Sequence, residues 1–173
     1  MTDGGVYVLS IPKAPYRCPP GPYERACQVA FYLKNNKPKS KIIILDANPD
    51  ITSKKGLFLS AWNTLYPGMI EYRPNAEITF VNAATRSAKT EFEEVKADVL
   101  NVVPPMRAGK AADLAGAVNV DKRWCAVDFL TYESKVQKNV HIIGDAVSAA
   151  LPKSGHMATA QAKVTAAAII ELM

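Results

Sequence analysis

A cysteine on a rigid turn is the part of this sequence best suited to chemistry. Residues 17–26 read RCPPGPYERA, with Cys18 at the start of a proline-rich run and Glu24 six residues further on. The prolines fix the backbone, and a helix can begin at Pro22, because the N–H that proline lacks has no partner in a first turn. Cys18 is therefore predicted just before a helix N-terminus, where the helix dipole favours a thiolate. The alternative is that Cys18 is a small apolar residue in a strand-to-helix connection.

The composition indicates a globular chain of one domain or two small lobes. It has 173 residues, 49% of them hydrophobic, and a formal net charge of +5. The lysines are scattered, which suits an acidic protein partner. Interleaved aromatics and dense arginines are missing, which argues against nucleic-acid binding.

Targeting, membrane and metal signals are weak or missing. No apolar run is long enough for a transmembrane helix, and residues 1–5 lack the basic-then-apolar pattern of a signal peptide. The three cysteines, Cys18, Cys27 and Cys125, lack metal-ligand spacing, so no metal site is predicted. Their number allows one oxidised pair with one thiol left over.

The segments around the proline turn predict a βαβ unit. Residues 5–11 and 41–46 are apolar and β-branched, and Ala26, Val29, Ala30 and Leu33 give the helix between them one buried stripe. Strand, helix and strand in this order form a right-handed crossover in a parallel sheet covered by helices.

This unit resembles the start of a dinucleotide-binding fold, but its turn differs. A nicotinamide dinucleotide needs glycines and free N–H groups around its pyrophosphate, whereas this turn carries Pro19, Pro20 and Pro22. The prolines argue against NAD(P) binding. Asp46, at the end of the second strand, is then interpreted as a strand-end residue and not as a ribose ligand.

Further elements divide the chain into two predicted domains, residues 1–103 and 104–173. The first continues with a helix carrying Phe58 and Trp62 and with strands at 77–81, 90–95 and 98–103. The second contains a strand at 139–143 that ends in Gly-Asp-Ala, followed by an alanine-rich helix from about residue 157.

Several motifs together resemble one family of flavoproteins. The sequence is similar, in order and over nearly its whole length, to the flavoprotein subunit of flavocytochrome c sulfide dehydrogenase, a relative of sulfide:quinone oxidoreductases. The motifs are CPPGPYERA (18–26), IILD (43–46), PPMRAGK (104–110), WCAVD (124–128), IIGDA (142–146) and PKSG (152–155).

This resemblance implies an α/β fold, with a Rossmann-like three-layer (FAD/NAD(P)-binding) central domain and part of a flavin domain. It implies that Cys18 and Cys125 form a redox-active disulfide, with Glu24 as an acid/base carboxylate. Sulfide would attack the bridge, and electrons would pass through FAD to a cytochrome c subunit. The residues that the resemblance assigns to flavin binding are Gly144, Asp145, Lys153, Ser154 and Gly155.

The sequence also departs from that family. The G-x-G-x-x-G fingerprint for FAD, the export signal of this periplasmic family and the C-terminal segment are all missing. The expectation is an inactive fragment that lacks FAD and dimerises through exposed strand edges. The alternatives are a non-catalytic Rossmann-like interaction domain and a sulfide:quinone-type or NAD(P)-linked oxidoreductase.

Overall fold

The computed structural model describes residues 1–173, which form two compact units, Met1–Pro105 and Met106–Met173. The domain boundary predicted from the sequence lies between residues 103 and 104. The elements of the first unit are β1 (Val6–Ile11), α1 (Gly21–Asn36), β2 (Lys41–Asp46), α2 (Lys55–Leu65), β3 (Ile70–Arg73), β4 (Phe80–Asn82), β5 (Ser87–Lys89), β6 (Glu94–Lys96) and β7 (Val99–Asn101).

A parallel sheet is the centre of the first unit. Its strand order is β3-β2-β1-β7, and all three strand pairs are parallel. Val8 lies beside Ile43 on one side and Leu100 on the other. The predicted βαβ crossover from β1 through α1 to β2 is confirmed, and the fold is α/β and Rossmann-like.

The two faces of this sheet are covered differently. Helix α1 packs on β1 and β2 and buries Ala26, Ala30 and Leu33. On the opposite face, a core cluster joins Val8 to Ala88 of the three-stranded antiparallel sheet β4-β5-β6. The expectation of helices on both faces was wrong, because this small sheet supplies the second apolar layer.

The short strands differ from their predicted positions. The strands expected at 77–81 and 90–95 are replaced by β4, β5 and β6, and β7 is shorter than the predicted 98–103. Strand β3 was not predicted. Its sequence, IEYR, alternates apolar and polar residues, but four residues are a short signal, and the pairing with β2 positions the strand.

The second unit is built from helices and loops. It contains α3 (Lys110–Leu114), a 3-10 turn at Gly144–Ala146 and α4 (Gly155–Leu172). The predicted strand at 139–143 was wrong, because this segment makes only one isolated bridge, between Glu133 and His141. A segment without a continuous ladder does not form a strand.

No helix is both long enough and apolar enough to cross a membrane. The structure also contains no group of three or more His, Cys, Asp or Glu side chains that could hold a metal ion.

Candidate functional site

Cys18 lies on the turn that leads into α1. Its thiol is exposed, and its backbone is left-handed, with a φ of 53°. The N–H of Gly21 donates to the Cys18 carbonyl at 2.8 Å, which closes the turn as the helix begins. A non-glycine residue in this conformation costs roughly 1–3 kcal/mol, and such residues cluster at functional sites.

Gly21 lets the Cys18 side chain approach the start of the helix. A Cβ added at Gly21 would lie 3.2 Å from the Cys18 sulfur and 3.5 Å from its Cβ. The sulfur therefore packs against the first residue of α1, as the sequence predicts.

Tyr16 supports this turn from inside. Its hydroxyl donates to the Pro19 carbonyl at 3.2 Å and lies 2.6 Å from the Thr52 hydroxyl. Burial raises the pKa of Tyr16, so the phenol remains a neutral donor at physiological pH. The turn that carries Cys18 is thus anchored to the loop before α2.

Glu24 and Cys27 lie further along α1. Glu24 is exposed in the first helical turn, six residues after Cys18. Cys27 is half-buried, and the Trp62 indole N–H donates to its sulfur at 3.3 Å. Burial raises the pKa of the Cys27 thiol, the Trp62 bond lowers it, and the Glu24 charge adds to the rise. Cys27 is therefore a packing thiol between α1 and α2.

Asp46 shows why this fold has no open ribose site at the end of β2. Tyr23 and Tyr72 donate to Asp46 Oδ2 at 2.8 and 2.9 Å. The Asn48 backbone N–H and side-chain amide donate to Oδ1 at 2.9 and 2.7 Å. Asp46 is fully buried, and four protein donors occupy its two oxygens. It is a structural strand-end residue, as interpreted from the proline turn.

A cleft of about 200 Å³ opens at the carboxyl ends of β1 and β7. Open α/β sheets bind ligands in this position. Ser10 and Val103 both line the cleft, and the Val103 N–H donates to the Ser10 hydroxyl at 2.8 Å. No cysteine is among the residues that line the cleft.

Cys125 is fully buried in the second unit. Its N–H donates to the Ala146 carbonyl at 2.9 Å, and its own carbonyl accepts from the Ser148 N–H at 2.8 Å. Burial raises the pKa of the Cys125 thiol, and the nearby charge of Lys153 opposes that rise.

Lys153 points inward. Its ammonium donates to the Asp145 and Val147 carbonyls, both at 2.8 Å, and lies 3.9 Å from the centre of the Trp124 ring. Burial lowers the pKa of Lys153, while the Asp145 charge raises it. The sequence indicated a flavin-side residue here. The sequence did not predict these contacts, because no local pattern indicates a lysine whose ammonium binds nearby backbone carbonyls.

The other predicted flavin ligands surround the start of α4. Gly144 has a φ of +74°, and its N–H donates to the Gln161 side-chain oxygen at 2.6 Å. Ser154 caps α4 by accepting from the Met157 N–H. A Cβ added at Gly155 would meet no atom within 4 Å, so the first residue of α4 faces open space. Asp145 is half-buried.

The structure thus places Cys18 and Glu24 in the first unit, and Cys125 with the predicted flavin ligands in the second. All three cysteines are free thiols. The Cys18–Cys125 bridge and the assigned residue roles stay predictions.

The parallel sheet, with helices on one face and an antiparallel sheet on the other, defines an α/β Rossmann-like fold. The family model "Sulfide dehydrogenase (flavocytochrome c) flavoprotein chain, central" matches residues 1–104. The chain therefore belongs to the family of flavocytochrome c sulfide dehydrogenase flavoprotein chains.

Solved structures show the same fold. A chain in the mitochondrial ATP synthase structure of Tetrahymena thermophila is 21% identical, with a TM-score of 0.69, and the match covers 98% of this chain and 44% of that one. The HOCl-induced flavoprotein disulfide reductase RclA of Escherichia coli, as a Cu(II) complex, is 15% identical with a TM-score of 0.63, covering 96% and 39%. The water-forming NADH oxidase of Lactobacillus brevis, bound to NADH, is 10% identical with a TM-score of 0.62, covering 96% and 37%. The chain spans about two fifths of the length of these solved chains.

Proposed function

We propose that this chain is part of a sulfide-oxidising flavoprotein in which Cys18 and Cys125 form the redox disulfide. The electrons then pass to FAD and on to a cytochrome c subunit. The observation that carries the proposal is the exposed Cys18 thiol, held in a left-handed conformation at the start of α1. It lies inside the segment that the family model matches.

The chemistry begins with hydrosulfide as the nucleophile. Its sulfur attacks the Cys18 side of the bridge, the sulfur–sulfur bond breaks, and the bonding electron pair leaves with Cys125 as a thiolate. The products are a Cys18 persulfide, which keeps the hydrosulfide proton, and the Cys125 thiolate, so atoms and charge balance. Attack on the Cys18 sulfur is supported by access, because Cys18 is exposed and Cys125 is buried.

Glu24 is proposed as the carboxylate that moves a proton at this site. It is exposed in the first turn of α1, where the helix dipole favours a negative charge. A carboxylate there can take the proton of hydrogen sulfide and so generate hydrosulfide next to the Cys18 turn.

The residues at the start of α4 fit a flavin only in part. Gly155 faces open space, so the N-terminus of α4 remains for a polar ligand. Lys153 is held by backbone carbonyls instead. Asp145 would hold a flavin hydroxyl and Gly155 would face a flavin oxygen. FAD, when bound, would supply a two-electron acceptor.

An NAD(P)-linked oxidoreductase is the less favoured alternative. Asp46 is enclosed by Tyr23, Tyr72 and Asn48, and the turn before α1 carries prolines in place of N–H donors. Measurable binding of a nicotinamide dinucleotide to the purified chain would restore this alternative.

Thiol counting with disulfide mapping tests the proposal. An air-oxidised sample is expected to show one free thiol before reduction and three after it, with a peptide that links Cys18 to Cys125. The Cys27→Ser variant is the matched control and should show no free thiol before reduction. An oxidising compartment such as the periplasm, which we propose for the full-length protein, would preserve the bridge. Three free thiols in the oxidised sample would contradict the proposal and favour a non-catalytic interaction domain.

A further inference from the structure

The Lys153 side chain is the most deeply buried cation of the second unit. Only 6% of the residue is exposed, and its ammonium makes two hydrogen bonds to carbonyls and one contact with the Trp124 ring. Burying an ammonium is costly unless it is paired and hydrogen-bonded. Two carbonyls and an aromatic face offset part of that cost without neutralising the charge.

The same backbone segment also holds Cys125. Residues 145–148 supply the carbonyls that bind Lys153, and their neighbouring groups form the two backbone hydrogen bonds of Cys125. Trp124, which lies under the ammonium, precedes Cys125 in the chain. The segment 145–148 thus binds both the backbone of Cys125 and the ammonium of Lys153, and the charges of the two side chains act on each other.

We propose that Lys153 is the positioning residue for Cys125, whose thiolate it stabilises when a bond to the cysteine sulfur breaks. This inference rests on the proposed role of Cys125 as the leaving sulfur of the disulfide. In that step the electron pair of the sulfur–sulfur bond arrives on a fully buried atom, where an unpaired anion would be unfavourable. The ammonium of Lys153 supplies the opposite charge.

The titration behaviour of the two groups supports this role. Burial raises the pKa of Cys125 and lowers the pKa of Lys153, and the charge of each group opposes the effect of burial on the other. Two further charges act on Lys153. Asp145 favours its charged form, and Arg123, whose guanidinium lies 5.1 Å from the centre of the Trp124 ring, disfavours it.

The first test measures the pKa of Cys125 in the Cys18→Ser, Cys27→Ser chain, where it is the remaining thiol. The chemical shift of an isotope-labelled cysteine Cβ is followed against pH. Lys153→Met is expected to raise the midpoint by roughly one pH unit or more, the usual effect of losing a neighbouring opposite charge. Lys153→Arg should restore most of the shift. Arg123→Met is the matched control, since it removes the other cation at the Trp124 ring, and should leave the midpoint near its starting value.

A second measurement reverses the roles of the two residues and leaves Lys153 unchanged. Its outcome therefore does not depend on whether the Lys153 variants fold. The Lys153 pKa is read from its labelled Cε resonance in the wild-type chain and in Cys125→Ser. Because the Cys125 charge raises the pKa of Lys153, the variant should show a lower midpoint. Equal midpoints here, or an unchanged Cys125 midpoint in Lys153→Met, would overturn the inference. Both measurements use reduced protein without sulfide, so they stand apart from the disulfide mapping that tests the proposed function.

Discussion

Cys18, Cys27 and Cys125 carry the same thiol in three different surroundings. Cys18 is exposed on a turn, Cys27 is half-buried against Trp62, and Cys125 is fully buried beside Lys153. Reactivity follows access to the sulfur and the fraction of thiolate, and burial opposes both. The three sites should therefore be distinguishable by chemical labelling.

In reduced protein at neutral pH, iodoacetamide is expected to modify Cys18 first. Burial raises the pKa of both Cys27 and Cys125, so their thiolate fractions at neutral pH are small. Mass spectrometry of timed samples measures the order. Labelling in denaturant, where the three thiols should react alike, is the control. Modification of Cys125 before Cys18 would contradict the structure.

The left-handed backbone of Cys18 gives a second prediction. Glycine adopts a φ of 53° without a steric penalty, whereas alanine does not. Cys18→Gly should therefore be more stable than Cys18→Ala by about 1 kcal/mol, although both variants lack the thiol. Urea unfolding measures the difference. The control pair is Ser60→Gly and Ser60→Ala within α2, where alanine should be the more stable.

At the scale of elements, buried tyrosine hydroxyls join β2, β3 and α1. Tyr23 from α1 and Tyr72 from β3 both donate to Asp46 at the end of β2, and Thr52 extends the network to Tyr16. One carboxylate thus fixes the positions of a helix and two strands. The network closes the end of β2 and supports the loop that carries Cys18.

This network predicts an alkaline loss of stability. Burial raises the pKa of Tyr23 and of Tyr72 far above the ordinary value of 10.0. A tyrosine whose pKa is higher in the folded protein than in the unfolded chain contributes its full stabilisation at every pH below the unfolded pKa. That contribution is lost as the pH rises from the unfolded pKa toward the folded pKa. The free energy of unfolding should therefore fall above about pH 10.

The variant that tests this network is Tyr72→Phe. It should cost about 1–3 kcal/mol at neutral pH, because Asp46 loses a buried donor, and it should flatten the alkaline slope. Denaturant unfolding at several pH values measures both effects. Tyr32→Phe is the matched control, because Tyr32 is 53% exposed, and its slope should equal that of the wild type. An unchanged slope in Tyr72→Phe would contradict the network.

Elements with a local signal were predictable, and elements positioned by tertiary contacts were not. The apolar runs of β1 and β2 and the stripe of α1 are visible in the sequence, as is the proline turn that positions Cys18. Strand β3 depends on β2, a partner distant in sequence, and the Lys153 side chain depends on the Trp124 ring and on backbone carbonyls that no periodic pattern marks. The predicted strand at 139–143 failed for the same reason, because an apolar run becomes a strand only where a neighbouring strand pairs with it.

At the scale of the whole molecule, the two units differ in the kind of core they bury. The first has a parallel sheet between a helical layer and an antiparallel sheet. The second has two small clusters around Cys125 and Val127, and its last helix exposes Val164, Ile170 and Leu172. Burial of apolar surface is the main source of stability, so the second unit is expected to be the weaker one.

One tryptophan in each unit makes this difference measurable. Trp62 reports on the first unit and Trp124 on the second, and the chain has two tryptophans in all. In Trp62→Phe, fluorescence follows the second unit alone, and in Trp124→Phe it follows the first. Circular dichroism of each variant checks that the substitution itself leaves the fold intact. The Trp124 signal should change at a lower urea concentration than the Trp62 signal, because the midpoint is the free energy of unfolding divided by the m-value, and the smaller core of the second unit should lower that free energy. Coincident transitions would show one cooperative unit, and the small clusters around Cys125 would then draw their stability from the rest of the chain.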